Sequence, residues 1–91
     1  GQLNRDDVRG MMIYQLNRYQ RLNARLFPIR VTGTGEAKAM ATFRALITGG
    51  AGWLPENGQV YDFETHWSKQ SGDWMLTNAN WKPVPLEEVI Q

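Results

Sequence analysis

The segment AKAMATFRALIT, residues 37–48, constrains this chain more than any other. Its residues alternate with period two, so an extended backbone sends Ala37, Ala39, Ala41, Phe43, Ala45 and Ile47 to one side, and Lys38, Met40, Thr42, Arg44, Leu46 and Thr48 to the other. A row made mostly of alanines cannot fill a core layer by itself. It calls for a second layer lying close, and a helix is the element that can approach so shallow a surface. A two-layer arrangement, helix on sheet, is therefore expected.

The helix is supplied upstream. NRDDVRGMMIYQLNRYQRLNARL predicts one over about residues 5–23, with Asn4 as N-cap, Asp7 at capping-box spacing, and Asp6 and Asp7 in the first turn, where the helix dipole favours negative charge. At 100° per residue Val8, Met11, Met12, Leu16, Tyr19 and Leu22 share an arc, opposite Asn17, Arg18, Arg21 and Arg25. Ile13 and Tyr14 fall outside that arc, and Gln15 falls inside it, where an amide needs a partner.

RLFPIRVTG predicts a strand over about 25–32, an edge or a strand start because Pro28 cannot donate to a ladder. TGTGE turns the chain. GGAGWLPENG is a ten-residue connection carrying Trp53, a candidate contact loop. VYDFETHWSKQSGDWMLTNANW then predicts a hairpin with strands over about 59–69 and 73–82. A three-residue loop Gln70-Ser71-Gly72 would pair Lys69 with Asp73; a two-residue loop Ser71-Gly72 would pair Lys69 with Trp74. The first is expected, because it aligns Tyr61, Phe63, Thr65 and Trp67 with Trp81, Ala79, Thr77 and Met75 on one apolar face. It leaves Asp62, Glu64, His66 and Ser68 opposite Asn80, Asn78, Leu76 and Trp74 on the other. The expected fold is α+β, one N-terminal helix packed on a curved four-stranded antiparallel sheet, in a single domain over 1–83 with a tail over 84–91.

Composition removes several functions. The chain has no cysteine and one histidine, which excludes disulfides, thiol chemistry and metal sites built from His and Cys; no metal or cofactor is expected. Residues 1–35 carry six Arg against two Asp, and residues 36–91 four Lys or Arg against seven Asp or Glu. That asymmetry is too dilute for a nucleic-acid footprint. No apolar run approaches the roughly 20 residues that span a bilayer. Phosphate-binding glycine loops, Gly-x-Ser-x-Gly and calcium-loop spacings are missing; TGTGE and GGAG are weak glycine matches in turns.

The order of a helix and long strands, ending in Tyr61-x-Phe63-x-x-x-Trp67, then Ser71-Gly72-Asp73-Trp74-x-Leu76, then Ala79-Asn80-Trp81, resembles the C-terminal part of the nuclear transport factor 2-like superfamily, of cystatin-like fold. The chain is similar to uncharacterised exported bacterial members, which implies a periplasmic or exported location. The resemblance also implies two further helices and a short hairpin before this point, walling a conical pocket and covering Ile13 and Tyr14, so the chain is expected to be a portion of a longer protein. It implies dimers formed through the outer sheet face.

Three sites follow. Asp62, Glu64 and His66 stand in one row, where Asp62 or Glu64 would partner the His66 imidazole as general base in an isomerase- or hydratase-like enzyme. Gln15, Tyr19, Tyr61, Phe63, Thr65, Trp67 and Trp81 beneath the helix would bind a small apolar ligand. Met40, Arg44, Leu46, His66, Trp74 and Leu76 on the outer face would form a homodimer interface. The row is expected to face away from the helix, so a non-enzymatic ligand-binding or protein-interaction module is the expected function.

Overall fold

The structure, a computed structural model, describes residues 1–50 and 58–89. These form α1 (Arg5–Gln20), β1 (Leu22–Leu26), β2 (Arg30–Gly35), β3 (Lys38–Gly49), β4 (Gln59–Gln70), β5 (Asp73–Pro83) and the short α2 (Leu86–Val89). The fold is α+β. One antiparallel curved sheet carries α1 on one face, with β1 and β2 end to end along one edge of β3, then β4, then β5 at the other edge. The connection around Trp53 lies outside the described residues.

Helix α1 starts as the sequence demands. Asn4 is extended, and its Oδ1 accepts the Asp7 N–H at 2.8 Å. The helix stops at Gln20 rather than continuing to 23, because Arg21 turns left-handed (φ 55°) and its N–H closes onto the Asn17 carbonyl at 3.1 Å. Leu22 is buried as the first residue of β1 instead of within the helix. Along α1, Val8 and Met12 are buried, and Met11 and Leu16 are half-buried against the same core. Tyr19, counted in the apolar arc, is 67% exposed, because helix burial stops at Leu16.

The alanine row performs as its size requires. Ala39, Ala41, Phe43, Ala45 and Ile47 are buried in the core that receives Val8 and Met12. Ala37 is left out: it is exposed at φ 118°, and the strand begins one residue later. The expected single strand over 25–32 is two strands. Leu26 pairs with Ala45 and Arg30 with Thr42, while the Phe27 N–H donates to the Arg44 carbonyl at 2.9 Å. Pro28 and Ile29 therefore both oppose Phe43, a bulge where proline's missing donor costs no ladder bond.

The β4–β5 hairpin corrects the expected register twice. Gln70 pairs with Asp73 and Lys69 with Trp74, so the loop is the two residues Ser71 and Gly72, with φ of 52° and 88°. Positive φ at both is the type I′ turn, whose twist suits a tight hairpin. A shift at His66/Trp67 then leaves Thr77 as an extra residue, its Oγ1 donating to the His66 carbonyl at 3.0 Å. Beyond this bulge Thr65 pairs with Ala79 and Phe63 with Trp81, and before it Trp67 pairs with Leu76. Trp74 and Leu76 thus turn to the helix face and pack on the core, while Met75 turns outward, 45% exposed. Because Asn tolerates the left-handed region better than Ser, Ser71→Asn is expected to raise stability by about 0.5 kcal/mol. A higher urea midpoint at unchanged slope is the readout.

The path of α1 decides what remains open. Its first half lies beside the hairpin turn, where Gly10 and Met11 border the same groove as Gly72 and Trp74. Only Arg21 separates its last residue from Leu22, which pairs with Gly49 at the opposite end of β3. The helix therefore crosses the sheet diagonally and leaves the far corner of β4 and β5 unroofed.

Candidate functional site

Asp62, Glu64 and His66 lie on the sheet face away from α1, paired across β3 with Arg44, Thr42 and Met40. Asp62 is held by Arg44 in a two-point contact, Nε to Oδ1 at 2.9 Å and Nη2 to Oδ2 at 3.3 Å. The guanidinium holds the Asp62 carboxyl below the usual carboxylate range, its hydrogen bond outweighing a counteracting desolvation. His66 Nε2 sits 3.0 Å from Glu64 Oε2, with 41% and 50% of the two side chains exposed. Glu64 does orient the imidazole, but on an open surface: the principal concavities among the described residues are open grooves, and His66 borders none of them.

The Arg44–Asp62 pair predicts a pH dependence. Asp62's folded-state pKa is depressed, so its contribution is complete above the unfolded carboxylate value near 4 and is lost as pH falls through the folded value. Asp62→Asn is therefore expected to be less stable than the parent at pH 7, with the two converging toward pH 2. The gap is small, because both side chains are about a third exposed (35% and 37%) and water screens them. Urea denaturation across that range checks it; a gap that widens in acid would contradict the pairing.

The residues expected beneath the helix divide into two groups. Thr65 and Trp67 are sealed core: the Trp67 Nε1–H donates to Thr65 Oγ1 at 2.8 Å, and that hydroxyl donates to the Ala41 carbonyl at 2.8 Å. With every hydrogen bond internal, neither can greet a ligand. Gln15 is half-buried and Tyr19 exposed on the helix. The remainder form an aromatic run at the unroofed corner. Phe43 and Phe63 stack at 5.1 Å between centroids, Tyr61 meets Phe63 edge-on at 6.3 Å, and Trp81 lies 6.1 Å from Phe63. Phe63 is 7% exposed but Trp81 62%, so this run passes from core to surface. Ile13 and Tyr14, outside the helix's apolar arc, are also exposed.

The expected interface patch is split. Met40, Arg44, Leu46 and His66 share the outer face, half-buried, whereas Trp74 and Leu76 belong to the helix side through the Thr77 bulge. The Trp74 Nε1–H donates to the Gly1 carbonyl at 3.1 Å. The tail also takes up part of the outer face. The Val84 N–H donates to the Val60 carbonyl at 2.9 Å, Val84 is buried, and Arg44 Nη1 reaches the Glu88 carbonyl at 3.5 Å.

Among the described residues no three His, Asp or Glu side chains gather as a metal site, and no helix is long and apolar enough to cross a membrane. Compared with family models, with curated proteins and with solved structures, the chain matches none.

Proposed function

We propose that this domain is a non-catalytic binding module of the nuclear transport factor 2-like kind, which receives a small apolar ligand at the corner of Tyr61, Phe63 and Trp81. One observation carries the reading: Trp81, 62% exposed, lies 6.1 Å from the buried Phe63, so a ligand on Trp81 would continue the core rather than rest on an isolated side chain. Surface aromatics joined to a packed aromatic base supply apolar area at little entropic cost. The Asp62, Glu64 and His66 row offers no enclosed site for a reaction, and each carboxylate already has a partner.

Calorimetric titration with 1-naphthol tests this. Saturable binding is expected, weakened at least about tenfold by Trp81→Ala and unchanged by His66→Ala. Absence of saturation, or equal binding by Trp81→Ala, would count against the site.

A further inference from the structure

Along the β2 edge, an open groove of about 1060 Å³ runs between residues 1–5 and the β2–β3 hairpin and takes its lining from both faces of the sheet. Arg5, Arg30, Lys38 and Lys69 line it, against the single acid Glu36. None of these four cations forms an ion pair among the described residues; Lys69 Nζ only donates to the Gly1 carbonyl, at 3.2 Å. A nearly neutral protein thus sets four cations without ion-pair partners around one strand edge, Arg30 and Lys38 on its outer face. The base of the groove is apolar, with Ile29 and Ala39 buried and Val31 half-buried.

The wall of this groove is a strand edge. β2 pairs with β3 on one side, and no strand flanks its other side among the described residues. At Gly33 a methyl group would meet nothing within 4 Å, so the backbone of this edge is bare and approachable. A bare edge offers backbone donors and acceptors to an extended chain, and alternating side chains of that chain then point into and out of the groove.

We infer that this groove binds an extended acidic peptide, added alongside β2 as a further strand, with carboxylates on the outer face toward Arg30 and Lys38 and the alternate, apolar residues on the helix side over Val31 and Ala39. The same cations select the occupant. Two copies of this edge would bring like charges together, which disfavours self-pairing, while an acidic strand meets opposite charge along its length.

The test uses a fluorescein-labelled, N-acetylated hexapeptide of alternating Glu and Val, followed by fluorescence anisotropy. Saturable binding is expected, weakening about tenfold between roughly 20 and 200 mM salt as the charges are screened. Arg30 and Lys38 are both exposed, so R30E/K38E should fold normally by circular dichroism and bind at least about tenfold more weakly, with R30Q/K38Q intermediate. N-methylation of alternate peptide amides should abolish binding, since strand addition needs those N–H groups, and Trp81→Ala should leave it unchanged. Equal binding of the Lys-Val counterpart, indifference to R30E/K38E or to N-methylation, competition by inorganic phosphate as strong as by unlabelled peptide, or no binding at 1 mM peptide would each overturn the proposal.

Discussion

Replacing Trp67 with alanine is expected to cost about 3–5 kcal/mol, the largest effect of any single truncation in this domain. Trp67 is 2% exposed and is the largest fully buried side chain among the described residues. Its removal leaves a cavity in the core that it shares with the alanine row, Val8 and Met12, where the backbones can relax only partly. It also strands the hydroxyl of Thr65, the only buried polar side chain described, which keeps its bond to the Ala41 carbonyl but loses its indole donor. Thr65→Val, nearly isosteric, tests the polar part alone. It leaves the Trp67 N–H unpartnered in the core and is expected to cost about 1–3 kcal/mol. A domain of this size has about 5–10 kcal/mol in total, so Trp67→Ala should be largely unfolded at modest urea. A loss below about 1 kcal/mol would mean that this side chain is not sealed in the core.

The second large effect is expected at Gly58, the residue that leads into β4. Its φ is 86°, and a Cβ built there would stand 2.7 Å from the Ile47 carbonyl oxygen and 2.7 Å from Thr48 Cγ2. The first of these is backbone and belongs to β3, whose ladder with β4 fixes it; it cannot swing aside as a side-chain terminus would. Gly58→Ala must therefore either adopt a strained left-handed conformation against that oxygen or open the first rung of the β3–β4 pair, where Ile47 faces Gln59. A loss of about 2–3 kcal/mol is expected. Amide exchange near Gln59 and Val60 should rise well before exchange near Thr65, because the damage starts at the end of the ladder. Uniformly faster exchange would point to a different cause.

Much of this fold is written in local patterns. The alternation over 37–48 and the small side chains on one of its faces place a close helix, and Asn4 with Asp6 and Asp7 marks where that helix begins. Two bulges escaped, because a bulge shows in sequence only as a change of phase. Leu22, Ala24 and Leu26 keep even positions on the core side, and Ile29 and Val31 keep odd ones; the step falls at Phe27-Pro28. Trp74 and Leu76 are even and Ala79 and Trp81 odd, with the step at Thr77. Reading each strand in two halves would have found both. The second step alone moves Trp74 and Leu76 from the expected interface to the core side.

The candidate site was legible in part. The outward placement of Asp62, Glu64 and His66 follows from β4 alone, as does the Arg44 partner from the neighbouring strand. The division between sealed Thr65 and Trp67 and open Trp81 was not legible, because it depends on the diagonal course of α1. Helix periodicity marks the face that is buried, not the direction in which the helix crosses a sheet. The basic groove escaped for a similar reason: Arg5 and Lys69 are far in sequence from the hairpin that carries Arg30 and Lys38, and they join its lining only when residues 1–5 come to lie beside that hairpin.

The helix leaves one aromatic corner open, and that corner is the proposed ligand site. Nuclear magnetic resonance of the indole N–H signals during titration with 1-naphthol tests it most directly, with Trp81→Phe assigning one signal and Trp67→Phe another. The Trp81 signal is expected to move in a saturable manner, while that of Trp67, held by Thr65 in the core, stays fixed. A stationary Trp81 signal, or movement of Trp67 in its place, would contradict the account.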